Sequence, residues 1–127
     1  MNTREVLRGE IYYLNCNESN GSVQSGIRPV IVIQNNVGNT FSGTTIVIPL
    51  TSKKKKSIPT HIKIKKDKFN KLPQNSTALC EQILTVNQND LFNRIGYIKD
   101  QTMEEINKCL MISIGLAEKN KKENSHE

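Results

Sequence analysis

Arg28 is the residue best placed to do chemistry in this 127-residue chain. It stands in Gly26-Ile27-Arg28-Pro29, directly ahead of the β-branched run Val30 to Ile33. A proline pushes the residue before it into extended backbone, and proline itself belongs at a strand's first position or beside an edge. A guanidinium is thereby fixed at a strand entrance, next to a loop that can host a ligand. Its planar fork matches two oxygens of a phosphate or carboxylate. A second cationic feature, Lys53-Lys54-Lys55-Lys56, follows Thr51-Ser52. As a loop it suits phosphate contact or plain solvation equally well. His61 has the chemistry of a general base, but it alternates with isoleucines beside Pro59 and reads as structural or surface-exposed. Glu81 and Gln82 fall in a strand-like stretch whose alternation sets them on opposite faces, so both cannot line one groove. On residue type alone Arg28 serves equally as a structural charge, and Thr51 merely ends a strand.

The elements that must position these groups are short strands. Ile11 to Leu14 is a first strand, and Asn15 to Gly26 is a long loop rich in Asn, Ser and Gly. Val30 to Ile33 reads as a strand buried on both faces. Asn35 to Gly43 is a turn-rich connection, and Thr44 to Leu50 is a third buried strand with Pro49 near its end. Ile58 to Ile64 alternates as a fourth strand, and Ser76 to Leu84 as a fifth. Between them Lys65 to Gln74 is charged and loop-like. Val86 to Arg94 reads as a helical turn and Ile95 to Ile98 as a short closing strand. A helix is expected from about Thr102 to Ala117, with Thr102 and Glu105 as a capping box and Asp100 as a competing cap. Met103, Ile106 and Leu110 share one face of it. Past Cys109 it is apolar nearly all round, so it is buried against the strands or shared with a second copy of the chain. The sum is a small, mostly antiparallel barrel with a C-terminal helix, one domain over residues 1–117. Residues 118–127 form a polar tail expected to fray.

Composition narrows the partners. Lys plus Arg number 18 against 12 Asp plus Glu, a formal charge of +6, which favours RNA, DNA or an acidic protein segment. Aromatic residues are only 5%, fewer than a base-stacking platform needs. Cys16, Cys80 and Cys109 are odd in number and lack metal-ligand spacing, which argues against zinc and for a reducing compartment. No signal peptide or long apolar run is visible, so a soluble cytoplasmic protein without a membrane association is expected.

In order along the chain, Arg8-Gly9-Glu10-Ile11-Tyr12, Gly26-Ile27-Arg28-Pro29-Val30, Gln34-Asn35, Pro59-Thr60-His61, Glu81-Gln82-Ile83 and Met111-Ile112-Ser113-Ile114-Gly115-Leu116 resemble the MazF/PemK toxins. Each motif alone is weak; their order and spacing from about residue 7 to 117 are specific. The resemblance implies an SH3-like barrel of the CcdB/MazF type, with five to seven antiparallel strands, assembled as a homodimer. It implies sequence-specific cleavage of single-stranded RNA with no metal or cofactor, leaving a 2′,3′-cyclic phosphate and a 5′-hydroxyl. An acidic antitoxin of the MazE kind would block the groove. The family's catalytic arginine and threonine fall on Arg28 and Thr51. Its RNA-contacting loop and strand residues fall on Ser22, Gln24 and Gln82, and the loop Ser52 to Lys56 follows the catalytic threonine.

That chemistry suits these residues. RNA supplies its own nucleophile in the 2′-hydroxyl, so the enzyme need only stabilise charge on phosphorus and move two protons. Arg28 fits the first task, and Thr51 can donate its hydroxyl to the same phosphate. An arginine pKa above about 12 makes it a poor proton shuttle, so proton transfer stays unassigned. Many relatives carry Glu where this chain has Val23 in Gly21-Ser22-Val23-Gln24, which removes one carboxylate that could act as base. A reading of a different class keeps the same fold without catalysis: a toxin that poisons a topoisomerase by contact, or a nucleic-acid-binding module.

Overall fold

A computed structural model describes residues 5–16 and 26–118. The strands are β1 (Glu10–Asn15), β2 (Ile27–Val32), β3 (Thr44–Thr51), β4 (His61–Ile64), β5 (Ser76–Leu79), β6 (Leu84–Asn87) and β7 (Phe92–Tyr97). Among the described residues these are joined by two helices, α1 (Asn36–Phe41) and α2 (Asp100–Ser113), and a 3-10 turn at Gln88–Asp90. The strands form one antiparallel sheet in the order β4-β5-β3-β2-β1-β7, with β6 also paired to β3. A mainly β fold with a C-terminal helix is what the alternation predicted.

Period-two side-chain geometry divides the core in two. Ile11, Ile31, Ile48, Leu50, Ile62, Ile64, Ala78 and Cys80 face one way and are sealed by Met103 and Ile106 of α2. Tyr12, Leu14, Val30, Val32 and Val47 face the other way, with Cys16 and Val6. β2 and β3 feed both clusters, which is why their sequences are β-branched without a polar face. At the β1 end the ion pair Arg94 Nε–Glu10 Oε2 (2.7 Å) spans β7 and β1, and the Tyr12 hydroxyl donates to the other Glu10 oxygen. Arg8 donates to the Ile33 carbonyl at 2.8 Å and to Asn107 of α2 at 2.6 Å. Gly96 on β7 lies so close to the Phe69 and Asn70 carbonyls that a Cβ there would collide with backbone.

Several boundaries differ from the sequence expectation. Residues 35–43 hold a helix, not only turns. Asn35 caps it by accepting from the Gly38 amide at 2.8 Å, and buried Asn39 bonds Gln34 and Thr45. That network outweighs the poor helix propensity of Asn and Gly. The fourth strand begins only at His61, because Pro59 offers no donor and the His61 amide closes a turn on the Ile58 carbonyl at 3.0 Å. The fifth strand stops at Leu79. A turn over Cys80 and Glu81 follows, closed by the Gln82 amide on the Leu79 carbonyl at 3.0 Å, and pairing resumes as β6. Glu81 and Gln82 therefore lie off the strand, and alternation does not separate them. Val86 to Arg94 is strand, 3-10 turn and strand rather than a helical turn.

α2 starts earlier and ends sooner than expected. Its N-cap is Lys99, with no side-chain cap, so Thr102 sits inside the first turn instead of forming a capping box. Gly115, at φ +83, stops it: the Gly115 amide bonds the Ile112 carbonyl and the Leu116 amide bonds the Met111 carbonyl. This pair of bonds is the Schellman ending, in which glycine alone takes the left-handed conformation cheaply. Met103 and Ile106 are buried, whereas Met111, Ile114 and Leu116 are exposed. In the single chain, one helical face is covered and the apolar end is not.

Candidate active site

The β2–β3 register pairs Val32 with Val47, Ile31 with Ile48 and Val30 with Pro49. Arg28 and Thr51 each lie two residues beyond the last of these pairs, at the same end of β2 and β3. On its other side Arg28 is paired with Leu14 of β1. Thr51 is in turn paired with Thr77 of β5, and Thr77 with Lys63 of β4. Alternation places Arg28, Thr51, Thr77 and Lys63 on the sheet face that carries Leu14, Val30 and Val47, opposite Ile31, Ile48 and Leu50. The two residues that the sequence singled out thus share a face at one level of the sheet.

Their exposure differs. Arg28 is half-buried, while Thr51 is 1% exposed in the single chain. The Thr51 hydroxyl oxygen accepts from the Lys53 amide at 3.1 Å and so sets the first turn of the lysine loop. The Arg28 charge is felt locally at Cys16. Burial pushes that thiol's pKa up, and the nearby guanidinium partly offsets the rise. A cleft of about 190 Å³ opens beside Arg28, lined by Tyr13, Ile27, Pro29, Leu50 and Ser52 among others. Arg28 itself is part of that lining, whereas Thr51 is not.

A second cluster joins His61 to Glu81, which the sequence presented separately. The His61 ring, its side chain only 11% exposed, has Nε2 at 3.1 Å from Glu81 Oε2 and Nδ1 at 3.2 Å from the Lys56 carbonyl. One imidazole therefore joins the lysine loop to the turn that carries Glu81 and Gln82. With an oxygen facing each ring nitrogen, neither presents a lone pair to a substrate in this arrangement, so His61 is a bridge here and not a poised base. Partial burial pushes the Glu81 carboxyl up. Its own backbone amide, the His61 ring and the Thr60 hydroxyl more than offset this and hold it below the usual carboxylate range. Lys53, Lys54 and Lys56 are exposed beside it, as is Ser52; Lys55 and Gln82 are half-buried. The signal for this cluster was the pairing of His61 with Leu79, which brings the residues just past Leu79 alongside it.

Ser22, Val23 and Gln24 lie outside the described residues. Among the described residues, no three His, Cys, Asp or Glu side chains are grouped to hold a metal ion. No helix among them is long and apolar enough to cross a membrane.

Residues 7–114 match the family described as PemK-like, MazF-like toxin of type II toxin-antitoxin system. The chain belongs to this family. It is 44% identical over 110 residues to an endoribonuclease MazF of Staphylococcus saprophyticus, covering 86% of this chain and 91% of that one. Among solved structures, the fold is similar to a mycobacterial endoribonuclease in complex with its cognate antitoxin (TM-score 0.74, 23% identity, 88% of this chain and 97% of that one). It is equally similar to MazF of Deinococcus radiodurans (TM-score 0.74, 18% identity, 88% and 98%). These likenesses place the sheet and helix in the MazF fold, as the motif order implied.

Proposed function

We propose that this chain is an endoribonuclease toxin that cuts single-stranded RNA at particular sequences, and that an acidic antitoxin restrains it. The observation that carries the reading is the Arg28–Thr51 juxtaposition: a guanidinium and a hydroxyl on one face, at the level where the lysine loop leaves the sheet. The 44% identity to an endoribonuclease MazF supports it.

In the reaction, the ribose 2′-oxygen loses its proton and forms a bond to the adjacent phosphorus. The bond from phosphorus to the 5′-oxygen breaks, and that oxygen takes up a proton. The products are a 2′,3′-cyclic phosphate and a 5′-hydroxyl, and no metal is required. Arg28 supplies two parallel N–H donors to the non-bridging oxygens as charge builds on them. Thr51, beneath it, orders the Lys53 amide and contributes its hydroxyl to the same phosphate. Ser22, Gln24, Gln82 and the Ser52–Lys56 loop contact the flanking RNA. The general base and acid have no assigned residue, and the His61 bridge removes that side chain from the role.

The chain's charge of +6 suits both the RNA and an acidic antitoxin competing for the same surface. The exposed Met111, Ile114 and Leu116 at the end of α2 suit a homodimer in which two such ends cover one another. The setting is the cytoplasm, where messenger RNA is the substrate. Incubating purified protein with a long single-stranded RNA in EDTA tests the reading. Discrete fragments with cyclic-phosphate and 5′-hydroxyl ends, absent for Arg28→Ala and absent on the matching DNA, are expected. Intact RNA at high protein concentration overturns it in favour of a non-catalytic binding toxin.

A further inference from the structure

We infer that Lys63 binds a phosphate of the RNA one step along from the cleaved one, and that the strand crosses β2, β3, β5 and β4 instead of running along one of them. This rests on the proposed RNA cleavage. It is carried by register. Thr51 of β3 is paired directly with Thr77 of β5, and Thr77 directly with Lys63 of β4. The sheet thus holds a transverse row of hydroxyl, hydroxyl and cation, with Arg28 at the same end of the neighbouring strand β2.

The row's direction is set by what flanks it. Ile62, Ile64 and Ala78, the immediate neighbours of Lys63 and Thr77, are buried in the core under α2. Strand alternation therefore turns Lys63 and Thr77 to the face of Arg28 and Thr51. Adjacent strands lie about 4.8 Å apart, so the two cations stand roughly 14 Å apart across the sheet. That separation lets them neutralise different phosphates of one strand, while the Thr77 hydroxyl, mostly buried, offers a donor between them. Lys63 also borders a recess of about 260 Å³ that contains Asp67 and Glu105, but Asp67 is paired with Lys99 at 3.8 Å. The competing account is that Lys63, on the last strand of the sheet order, only guards an edge against pairing with another chain.

The test uses a non-cleavable probe, a mixed-sequence single-stranded RNA with 2′-O-methyl groups, bound to wild type, Lys63→Gln and Lys108→Gln between about 50 and 200 mM salt. Lys108 is exposed on α2 and serves as the control. Each phosphate contact to a single strand contributes about 0.7 to the slope of log affinity against log salt. Lys63→Gln should flatten the slope by that amount and reduce the affinity gap to wild type roughly threefold over this range. Lys108→Gln should match wild type. Thr77→Val should weaken binding without changing the slope, and Thr77→Ser should restore it. An unchanged slope in Lys63→Gln, with wild type still cutting RNA, overturns this inference alone. Wild type that neither binds nor cuts RNA overturns the function on which it rests.

Discussion

The Arg28–Thr51 row and the His61–Glu81 bridge lie near one another but are held by opposite means. The row is held by covalent and backbone constraint. Pro29 restricts Arg28, β1 pairs with it on one side, and Thr51 is paired with Thr77 of β5. The bridge is held by two side-chain contacts of 3.1 and 3.2 Å from one ring. The backbone that carries Arg28 keeps its place as long as the sheet is folded. The loop that carries the lysines is docked by the His61 ring on the Lys56 carbonyl. Under the proposed function the difference separates chemistry from adaptability: the reacting end is built into paired strands, and the end that would meet variable RNA is held by side-chain contacts.

The largest effect should come from breaking the rigid half. Arg28→Ala should lower the cleavage rate by about 100-fold to 1,000-fold or more, with thermal stability near wild type. Arg28→Lys should keep RNA binding while recovering little of the rate, because an ammonium lacks the two-pronged fork. Single-turnover assays beside melting curves check both; full activity in the alanine variant would remove the row from the chemistry. Thr51→Val should act on rate and stability together. It removes the acceptor of the part-buried bond from the Lys53 amide, a cost of about 0.5 to 1.5 kcal/mol, whereas Thr51→Ser should preserve both.

The tethered half should yield smaller, condition-dependent changes. Glu81 has a folded pKa below its ordinary value, so its contribution to stability is fully present above the usual carboxylate range, near pH 4.3. It is lost as pH falls through the lowered value. Glu81→Gln should therefore flatten the acid limb of a melting-temperature profile while changing little near neutrality. His61→Ala should speed amide exchange in residues 53–57 and leave exchange at Val30 to Val32 untouched. Equal acceleration in both segments would erase the contrast between the two regions. The smallest effect concerns the thiols. Burial, with Cys109 beside it, pushes Cys80 up to about 12, so in native protein Cys80 should alkylate far more slowly than half-buried Cys109.

Most of the fold was legible because its signals were local. Val30 to Ile33 and Thr44 to Leu50 read as buried strands from branched residues alone, and both cores are built on them. The misreadings came where a distant partner overrode the local pattern. Alternation carried Ser76 to Leu84 on as one strand, yet the chain turns at Cys80 because β3 accepts first β5 and then β6 along the same edge. Asn35 to Gly43 looked like turns because the bonds that make it helical run through Asn39 to Gln34 and Thr45. At the site, Arg28 announced itself through its proline, whereas Thr51 needed the family pattern. The bridge from His61 to Glu81 spans 20 residues, and no spacing rule reaches that far. Arg8 and Glu10, conspicuous in the motif, turn out to fasten the start of the chain to α2 and β7.

Gly96 carries a practical consequence. Any side chain there must displace the backbone at Phe69 and Asn70, so replacement attacks folding without touching a single charge that faces RNA. In a genetic screen for cells that survive production of this toxin, inactivating changes should therefore fall into two piles. Arg28 variants would accumulate as intact protein still recognised by the antitoxin, while Gly96 variants would disappear from the soluble fraction.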